Sequence, residues 1–360
     1  HFIVFILRSY FIIFAPKVIF FLMTTSELTV DEWYMRRCIQ LAYNGLGSTY
    51  PNPMVGSVIV YEGRIIGEGW HQKAGEAHAE VRAITSVKDK SLLPKSTIYV
   101  SLEPCCHFGK TPPCADLIIA HKIGRVVIGT TDPFAKVHGK GIEKLRNAGC
   151  EVTVGVCEAE CRELNKRFFT FHEKHRPYII LKWAETRDGF IAPLHKEEVA
   201  PRWISDVYAR QTAHQMRTEE QGIVVGVGTV LADNPSLDSR SWYGRNPVRI
   251  IIDPKLRSPK EFAVWNDRTT TLFFTEETSV PEMIHTDFFT IDFKHKPLEQ
   301  ICAKLYEMNL QSMIVEGGAY TLQQFIDEGL WDEAVIFTGD ICFGEGVRAP
   351  ILRCEPHRQV

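Results

Sequence analysis

Apolar residues in the first half of the chain follow helical and strand periods in turn. In residues 30–45 they recur at mixed spacings of three and four until Gly45, which predicts an amphipathic helix. Residues 55–60 and 64–70 have strand composition and are separated by a glycine turn, so we predict a hairpin. The further predicted elements are helices at 78–87, 114–120 and 141–148, strands at 97–101, 126–129 and 151–156, and one charged linker helix at 157–176.

The second half repeats the alternation. The pattern predicts strands at 179–183, 222–226, 248–252, 271–275 and 312–316, and helices at 206–218, 298–308 and 320–329. Alternating strands and helices indicate an α/β architecture in both halves. Residues 342–360 contain glycines and prolines and show no closing strand, so we expect that the C-terminal end is truncated or frameshifted.

The N-terminal segment is apolar but interrupted. Arg8 and Lys17 leave no uninterrupted stretch of about 18 apolar residues, and no small-residue cleavage pattern follows. The first globular sequence begins just after Met23. We interpret residues 1–22 as non-native upstream read-through or a disordered segment, with a signal anchor as the alternative. The domains predicted after it are 24–156, a linker helix at 157–177, and 178–360.

Charge and cysteine content narrow the function classes. Lys and Arg number 41 against 44 Asp and Glu, a net charge of −3, which argues against a broad nucleic-acid-binding face. Ten cysteines are few for 360 residues and, without secretory context, favour a reduced compartment where thiols serve metal binding or catalysis. We therefore expect a cytoplasmic protein without nucleic-acid or membrane partners.

Four residues of the first half form a candidate catalytic metal site. His78 and Glu80 lie two residues apart at a predicted helix start, and Cys105, preceded by proline, and Cys114 follow downstream. This is the residue set of zinc deaminases, whose three protein ligands leave the fourth zinc position open for water. Glu80, which is not a ligand, would pass the proton of that water to the departing ammonia.

The cysteine spacing departs from the generic pattern. The familiar arms have two residues between the cysteines, whereas eight separate Cys105 from Cys114. Cys106 and His107 are therefore rival ligands, and a closed structural zinc site with His107 as fourth ligand is an alternative. Alone, a His-x-Glu pair is usually a solvated helix face and distant cysteines are usually buried thiols. Their joint occurrence favours zinc.

Three motifs in order carry a resemblance to a known family. They are Pro51-Asn52-Pro53-Met54-Val55-Gly56, Gly75-Glu76-Ala77-His78-Ala79-Glu80-Val81 and Pro104-Cys105-Cys106-His107-Phe108-Gly109-Lys110-Thr111-Pro112-Pro113-Cys114. With them the first half resembles the bifunctional riboflavin-biosynthesis deaminase/reductase family, in which the longer cysteine loop is the norm. The resemblance implies a cytidine-deaminase-like α/β/α domain with His78, Cys105 and Cys114 as zinc ligands and Glu80 as proton shuttle.

The resemblance also implies substrate contacts in this half. They are Asn52, His71, Lys110 and Asp132. Without the family, Asn52 would be a turn residue, Lys110 a solvated loop charge, and His71 a half-buried strand histidine.

The second half resembles the reductase part of the same family. Thr229-Val230-Leu231-Ala232-Asp233-Asn234-Pro235 and Val315-Glu316-Gly317-Gly318 are its most specific motifs. The resemblance implies a fold similar to dihydrofolate reductase, with NADPH contacts at Trp203, Thr229, Asp233, Gly318, Ala319, Tyr320, Thr321, Leu322, Gln323 and Gln324. It implies substrate contacts at Arg217, Leu237, Arg240 and Glu316. The sequence departs from the family at Glu185, Pro201 and Pro254, and the resemblance ends near residue 348.

The resemblance implies two successive reactions in riboflavin biosynthesis. Zn²⁺-dependent deamination of 2,5-diamino-6-ribosylamino-4(3H)-pyrimidinone 5′-phosphate would precede NADPH reduction of the ribosyl side chain to ribityl. We expect this small pyrimidine ribose phosphate as substrate and a homo-oligomer as assembly. The alternatives are a nucleoside or tRNA-base deaminase, a deaminase with an inactive reductase half, and a non-catalytic zinc-stabilised binding protein.

Overall fold

The computed structural model describes residues 3–8, 28–106, 112–134, 138–352 and 358–359, with the backbone alone at 3–8 and 358–359. The chain divides into two compact units, residues 16–174 and residues 1–15 with 175–360. Among the described helices, none combines the length and apolar character needed to cross a bilayer.

Strands and helices alternate along both units. The strands are β1 (Ile3–Arg8), β2 (Gly56–Tyr61), β3 (Arg64–Trp70), β4 (Thr97–Leu102), β5 (Arg125–Thr130), β6 (Glu151–Val154), β7 (Tyr178–Thr186), β8 (Phe190–Ala192), β9 (Gly222–Gly226), β10 (Val248–Ile252), β11 (Thr271–Thr275), β12 (Thr286–Thr290), β13 (Ser312–Val315), β14 (Glu333–Gly339), β15 (Val347–Arg348) and β16 (Arg358–Gln359). The helices are α1 (Val30–Ala42), α2 (Ala79–Ser86), α3 (Cys114–Ala120), α4 (Lys140–Asn147), α5 (Glu158–Leu164), α6 (Lys166–Lys174), α7 (Val207–Glu219), α8 (Val227–Asp233), α9 (Pro297–Glu307) and α10 (Ala319–Asp327).

The sheet of the unit 16–174 has the order β3-β2-β4-β5-β6. The hairpin partner β3 and β4 both run antiparallel to β2, whereas β4, β5 and β6 are mutually parallel. Its strands are rich in apolar residues, as expected for a sheet that is buried on both faces. Val58, Ile98 and Val126 are fully buried. Because β4 and β5 are parallel neighbours, the segments that follow them emerge at the same edge of the sheet.

The sheet of the other unit has the order β12-β11-β10-β9-β13-β7-β14-β1-β16, and every neighbouring pair is parallel. Its central strands are continuous apolar segments, as expected for strands buried on both faces. The carboxyl ends of β10, β9, β13 and β7 therefore lie side by side, which is where ligands bind in open parallel sheets.

The predicted linker helix at 157–176 is wrong in one respect, because it consists of two helices, α5 and α6. Asn165 separates them. Its side-chain amide accepts a hydrogen bond from the Met54 backbone N–H at 2.8 Å and donates one to the Met54 carbonyl at 2.8 Å. These contacts anchor the break in the interior of the unit, and no helical period reveals them.

Several elements escaped the sequence prediction. They are β8, α8, β12 and β14, together with the end of the chain. The expectation of no strand within 342–360 is wrong, since β15 pairs antiparallel with β8 and the backbone of β16 pairs with β1. Two-residue strands carry too little period to be recognised.

Residues 1–22 have no predicted element, but the backbone of β1 lies in the large sheet. It pairs in parallel with β14 from Ile3 opposite Glu333 to Arg8 opposite Thr338. The rest of the segment lies outside the described residues. Its origin as read-through stays a prediction.

Candidate active sites

The three predicted metal ligands meet at the edge where β4 ends. His78 is the N-cap residue of α2, Cys105 follows β4, and Cys114 is the first residue of α3. The His78 Nδ1 atom lies 3.6 Å from the Cys105 Sγ atom and 3.3 Å from the Cys114 Sγ atom. All three donor atoms lie within 4.8 Å of one another.

This donor set fits zinc. Ligand bonds of about 2.1 Å to nitrogen and 2.3 Å to sulfur in a tetrahedron place nitrogen and sulfur about 3.6 Å apart, close to the separations found here. A hydrogen bond from Cys114, whose backbone N–H also lies 3.3 Å from the Cys105 sulfur, lowers the pKa of Cys105 to about 4. A thiolate, the form that binds metal, is thus favoured before any metal arrives.

Glu80 lies in the first turn of α2, two residues beyond His78. Its side chain is 4% exposed, and burial raises its pKa above the ordinary value of a glutamate. The Cys105 and Cys114 side chains also influence the pKa of Glu80, because its carboxyl group lies close to both sulfurs. A carboxyl group with a raised pKa is suited to general acid–base chemistry near neutrality.

A cavity of about 1280 Å³ opens at the carboxyl edge of the large parallel sheet. It is lined by most residues predicted for the reductase site: Trp203, Thr229, Asp233, Gly318, Ala319, Tyr320, Thr321, Gln324, Arg217, Leu237, Arg240 and Glu316. The first turn of α10 starts there after Gly317-Gly318, and no side chain caps it. At Gly317 a Cβ would lie 2.9 Å from the Cβ of Thr321, so the tight turn into α10 requires glycine.

A buried ion cluster forms one wall of this cavity. Glu316 accepts hydrogen bonds from Arg217 Nε at 2.9 Å and Arg217 Nη2 at 2.8 Å, and lies 3.4 Å from the Lys182 ammonium nitrogen. Burial opposes ionisation of Glu316, but the charges of Arg217 and Lys182 outweigh it and lower its pKa to about 2. Burial lowers the pKa of Lys182. With Lys182 protonated, the cluster carries one net positive charge beside the cavity, which favours anionic ligands.

Comparison with known proteins shows the family to which the chain belongs. The family model of the cytidine and deoxycytidylate deaminase zinc-binding region matches residues 28–130, and that of the RibD C-terminal domain matches residues 177–356. Riboflavin biosynthesis protein RibD of Aquifex aeolicus is 44% identical over 322 residues, 88% of this chain and 89% of that protein. The chain belongs to the RibD family.

Other relatives agree over both halves. RibD of Escherichia coli is 36% identical over 335 residues, covering 88% of this chain and 90% of that protein. The crystal structure of a Thermotoga maritima diaminohydroxyphosphoribosylaminopyrimidine deaminase/5-amino-6-(5-phosphoribosylamino)uracil reductase superposes with a TM-score of 0.80 at 43% identity over 89% of each chain. RibD of Acinetobacter baumannii gives a TM-score of 0.80 at 34% identity over 90% of each chain.

The prediction of a bifunctional deaminase and reductase of riboflavin biosynthesis is thereby confirmed, with a zinc-binding deaminase domain followed by a reductase domain. The RibD C-terminal match reaches residue 356, beyond residue 348 where the sequence analysis ended the resemblance.

Two of the predicted deaminase substrate residues, Asn52 and His71, contact each other in this RibD family member, and His71 lies beside His78. Asn52 Nδ2 lies 3.0 Å from His71 Nε2, and His71 Nδ1 lies 3.3 Å from the Ala77 carbonyl. The His71 ring meets the His78 ring edge-on at 5.4 Å. Burial lowers the pKa of His71, which keeps its ring neutral. Its Nδ1–H can then donate to the Ala77 carbonyl while Nε2 accepts from Asn52.

Asp132 follows β5 at the same edge. Its side chain is buried, which raises its pKa to about 6, and its Oδ1 atom accepts a hydrogen bond from the Phe134 amide at 2.8 Å. Lys110 and His107 lie outside the described residues. Cys106 is partly exposed and absent from the donor cluster.

Two predicted cofactor residues have side chains away from the cavity. Leu322 is fully buried in the hydrophobic core, and the Gln323 side chain bonds to Asp327 and to the Ile351 amide. Each residue of α10 is rotated by about 100° from the one before, so these two side chains point away from the cavity. The resemblance implied contacts along the whole stretch 318–324, and the side chains of these two residues do not face the cavity.

Three polar residues that line the cavity or lie close to the His78, Cys105 and Cys114 cluster were not predicted from the sequence. Lys196 pairs with Asp233, and His214, which is 6% exposed, has a buried Nδ1 atom without a hydrogen-bond partner among the described residues. Burial lowers the pKa of His214 to about 4. Glu103, two residues before Cys105, accepts four backbone amide hydrogens. An acidic residue at the end of an apolar strand, next to a ligand, was the available signal for Glu103.

Proposed function

We propose that this protein catalyses two successive steps on one pyrimidine ribose phosphate. It removes the 2-amino group of 2,5-diamino-6-ribosylamino-4(3H)-pyrimidinone 5′-phosphate by hydrolysis. It then reduces the ribosyl side chain to ribityl with NADPH. The observation that carries the proposal is the presence, in one chain, of a His-Cys-Cys donor set beside a buried glutamate and of a cation-lined cavity in a reductase domain.

In the deaminase, His78, Cys105 and Cys114 would hold zinc, which as a Lewis acid makes water nucleophilic at neutral pH. The Glu80 carboxylate takes a proton from the attacking water and delivers it to the leaving amino group. Asn52, His71 and Asp132 are proposed to bind the pyrimidine and its sugar. Lys110 is proposed as a further contact from the sequence alone.

In the reductase, the protein's share is placement, because hydride transfer is the chemistry of the nicotinamide cofactor. The uncapped first-turn amides of α10 offer a phosphate of NADPH hydrogen-bond donors at the positive end of the helix. Arg217 has N–H groups left over from its bonds to Glu316 and Asp238, and Arg240 lies at the same wall. We propose that both bind the substrate phosphate.

The deaminase half is tested by a substrate panel. We expect ammonia release from the diaminopyrimidine ribose phosphate at a rate at least about a hundredfold above that from cytidine or unmodified tRNA. The rate of ammonia release from each compound at equal concentration measures this preference. Activity on cytidine or tRNA alone would overturn the proposal in favour of a nucleoside or tRNA-base deaminase.

A further inference from the structure

The Glu103 carboxylate joins three segments of the deaminase domain. It is 4% exposed and stands directly after β4, two residues before Cys105. One oxygen accepts the amide hydrogens of Asp132 at 3.2 Å and Gly139 at 2.9 Å. The other accepts those of Gly141 at 2.8 Å and Ile142 at 3.3 Å.

Four amide donors saturate this group. An ionised carboxylate has about four lone-pair positions, and all of them face backbone N–H groups here. No cationic side chain pairs with Glu103 among the described residues, so its charge is balanced by amide dipoles at the start of α4. The fit is close, because a Cβ at Gly141 would lie 2.1 Å from the Pro104 carbonyl oxygen.

These contacts fix Asp132 relative to the metal ligands. The Glu103 amide donates to the Thr130 carbonyl at 2.9 Å, which continues the pairing of β4 with β5 one step beyond the sheet. The Asp132 amide then returns a hydrogen bond to the Glu103 carboxylate. The segment that delivers Cys105 and the segment that delivers Asp132 are thus tied by two hydrogen bonds through one residue.

We propose that Glu103 is a positioning residue of the deaminase, which holds the Asp132 carboxyl group at the distance from the metal ligands that substrate binding requires. The inference rests on the proposed role of Asp132 in binding substrate. It assigns to Glu103 no contact with substrate or metal. Its effect on catalysis is transmitted by the Asp132 backbone.

Glu103→Gln tests this inference with little change in volume. Glutamine has one acceptor oxygen, and its NH₂ group faces two of the four amide donors, so two of the hydrogen bonds are lost. We expect the KM of deamination to rise about tenfold while kcat changes by less than about threefold, because zinc and Glu80 stay in place. Glu103→Asp keeps the charge but is one methylene shorter, so its KM should lie between those of the wild type and Glu103→Gln.

A double-mutant cycle with Asp132→Asn separates positioning from general support. If Glu103 acts through Asp132, Asp132→Asn also raises KM about tenfold and Glu103→Gln adds less than about threefold to it. Multiplying effects, near a hundredfold in the double variant, would overturn the inference. So would loss of zinc, or of the reductase activity in the same chain, on Glu103→Gln. Glu143→Gln, an exposed carboxylate in the first turn of α4, is the matched control and should leave KM unchanged.

Two failures are distinguishable. An unchanged KM in Asp132→Asn would overturn the proposed role of Asp132 and with it this inference. A raised KM in Asp132→Asn beside an unchanged KM in Glu103→Gln would overturn the inference alone.

Discussion

Glu80→Gln is expected to abolish deamination while zinc stays bound. The amide has nearly the same shape as the carboxyl group but cannot take up and release the proton that water must lose and the departing ammonia must gain. Positioned acid–base groups contribute about 10²- to 10⁴-fold, so kcat for ammonia release should fall by at least about a hundredfold. The donors His78, Cys105 and Cys114 are unchanged, and metal analysis should find as much zinc as in wild type.

The reductase supplies an internal control for this variant. NADPH oxidation with the deaminated intermediate should proceed at the wild-type rate in Glu80→Gln. Glu76→Gln, which removes a partly exposed carboxylate of the same segment, should deaminate normally. If Glu80→Gln retained more than about a tenth of the deamination rate, the role of Glu80 would be wrong and a non-catalytic zinc-stabilised protein would gain support.

Glu316→Gln is expected to cause the largest loss of stability. Removing the only anion of the buried cluster leaves the charges of Arg217 and Lys182 without compensation, and breaking buried pairs in this way costs about 3–5 kcal/mol. Denaturant unfolding followed by tryptophan fluorescence measures this, since five of the seven tryptophans lie in the reductase half (Trp183, Trp203, Trp242, Trp265 and Trp331). Asp340→Asn, which breaks an exposed pair with Arg187, should cost less than about 1 kcal/mol.

The same cluster predicts a pH dependence with a definite sign. The pKa of Glu316 is about 2 in the folded protein, below its ordinary value of 4.5. Ionised Glu316 therefore stabilises the fold above pH 4.5, and this contribution of about 3 kcal/mol is lost as pH falls from 4.5 toward 2. The difference in unfolding free energy between wild type and Glu316→Gln should shrink over that interval. A difference that stayed constant would contradict the ion-pair explanation.

Most of the architecture could be predicted because the elements that build both cores have strong periods. The bounds of the predicted strands agree with those of β3, β9, β10 and β11. Helix α2 begins directly after His78 and α3 begins at Cys114, as the positions of the predicted ligands suggested. The meeting of His78, Cys105 and Cys114 could be predicted because these residue types are the ones that bind zinc. Their spacing became informative through the family, in which the long cysteine loop is normal.

What could not be predicted depends on contacts between distant positions. Glu103 finds its amide partners 29 to 39 residues away, and Asn165 finds the Met54 backbone 111 residues away. Neither set of contacts leaves a period or motif in the sequence, although an acidic residue at the end of an apolar strand marks Glu103 itself. The short strands β8 and β15 are formed by pairing with each other rather than by local propensity. The side chains of Leu322 and Gln323 lie away from the cavity because of the rotation of α10, and a sequence motif does not show this.

We propose that both sites of this RibD family member act in order on one substrate. The direct measurement starts from the diaminopyrimidine ribose phosphate with NADPH and follows ammonia release and NADPH oxidation together. We predict equal amounts of both, with oxidation lagging behind ammonia and, in Glu80→Gln, appearing only when the deaminated intermediate is supplied. Ammonia release without NADPH oxidation, even with that intermediate added, would contradict a working reductase half and leave a deaminase alone.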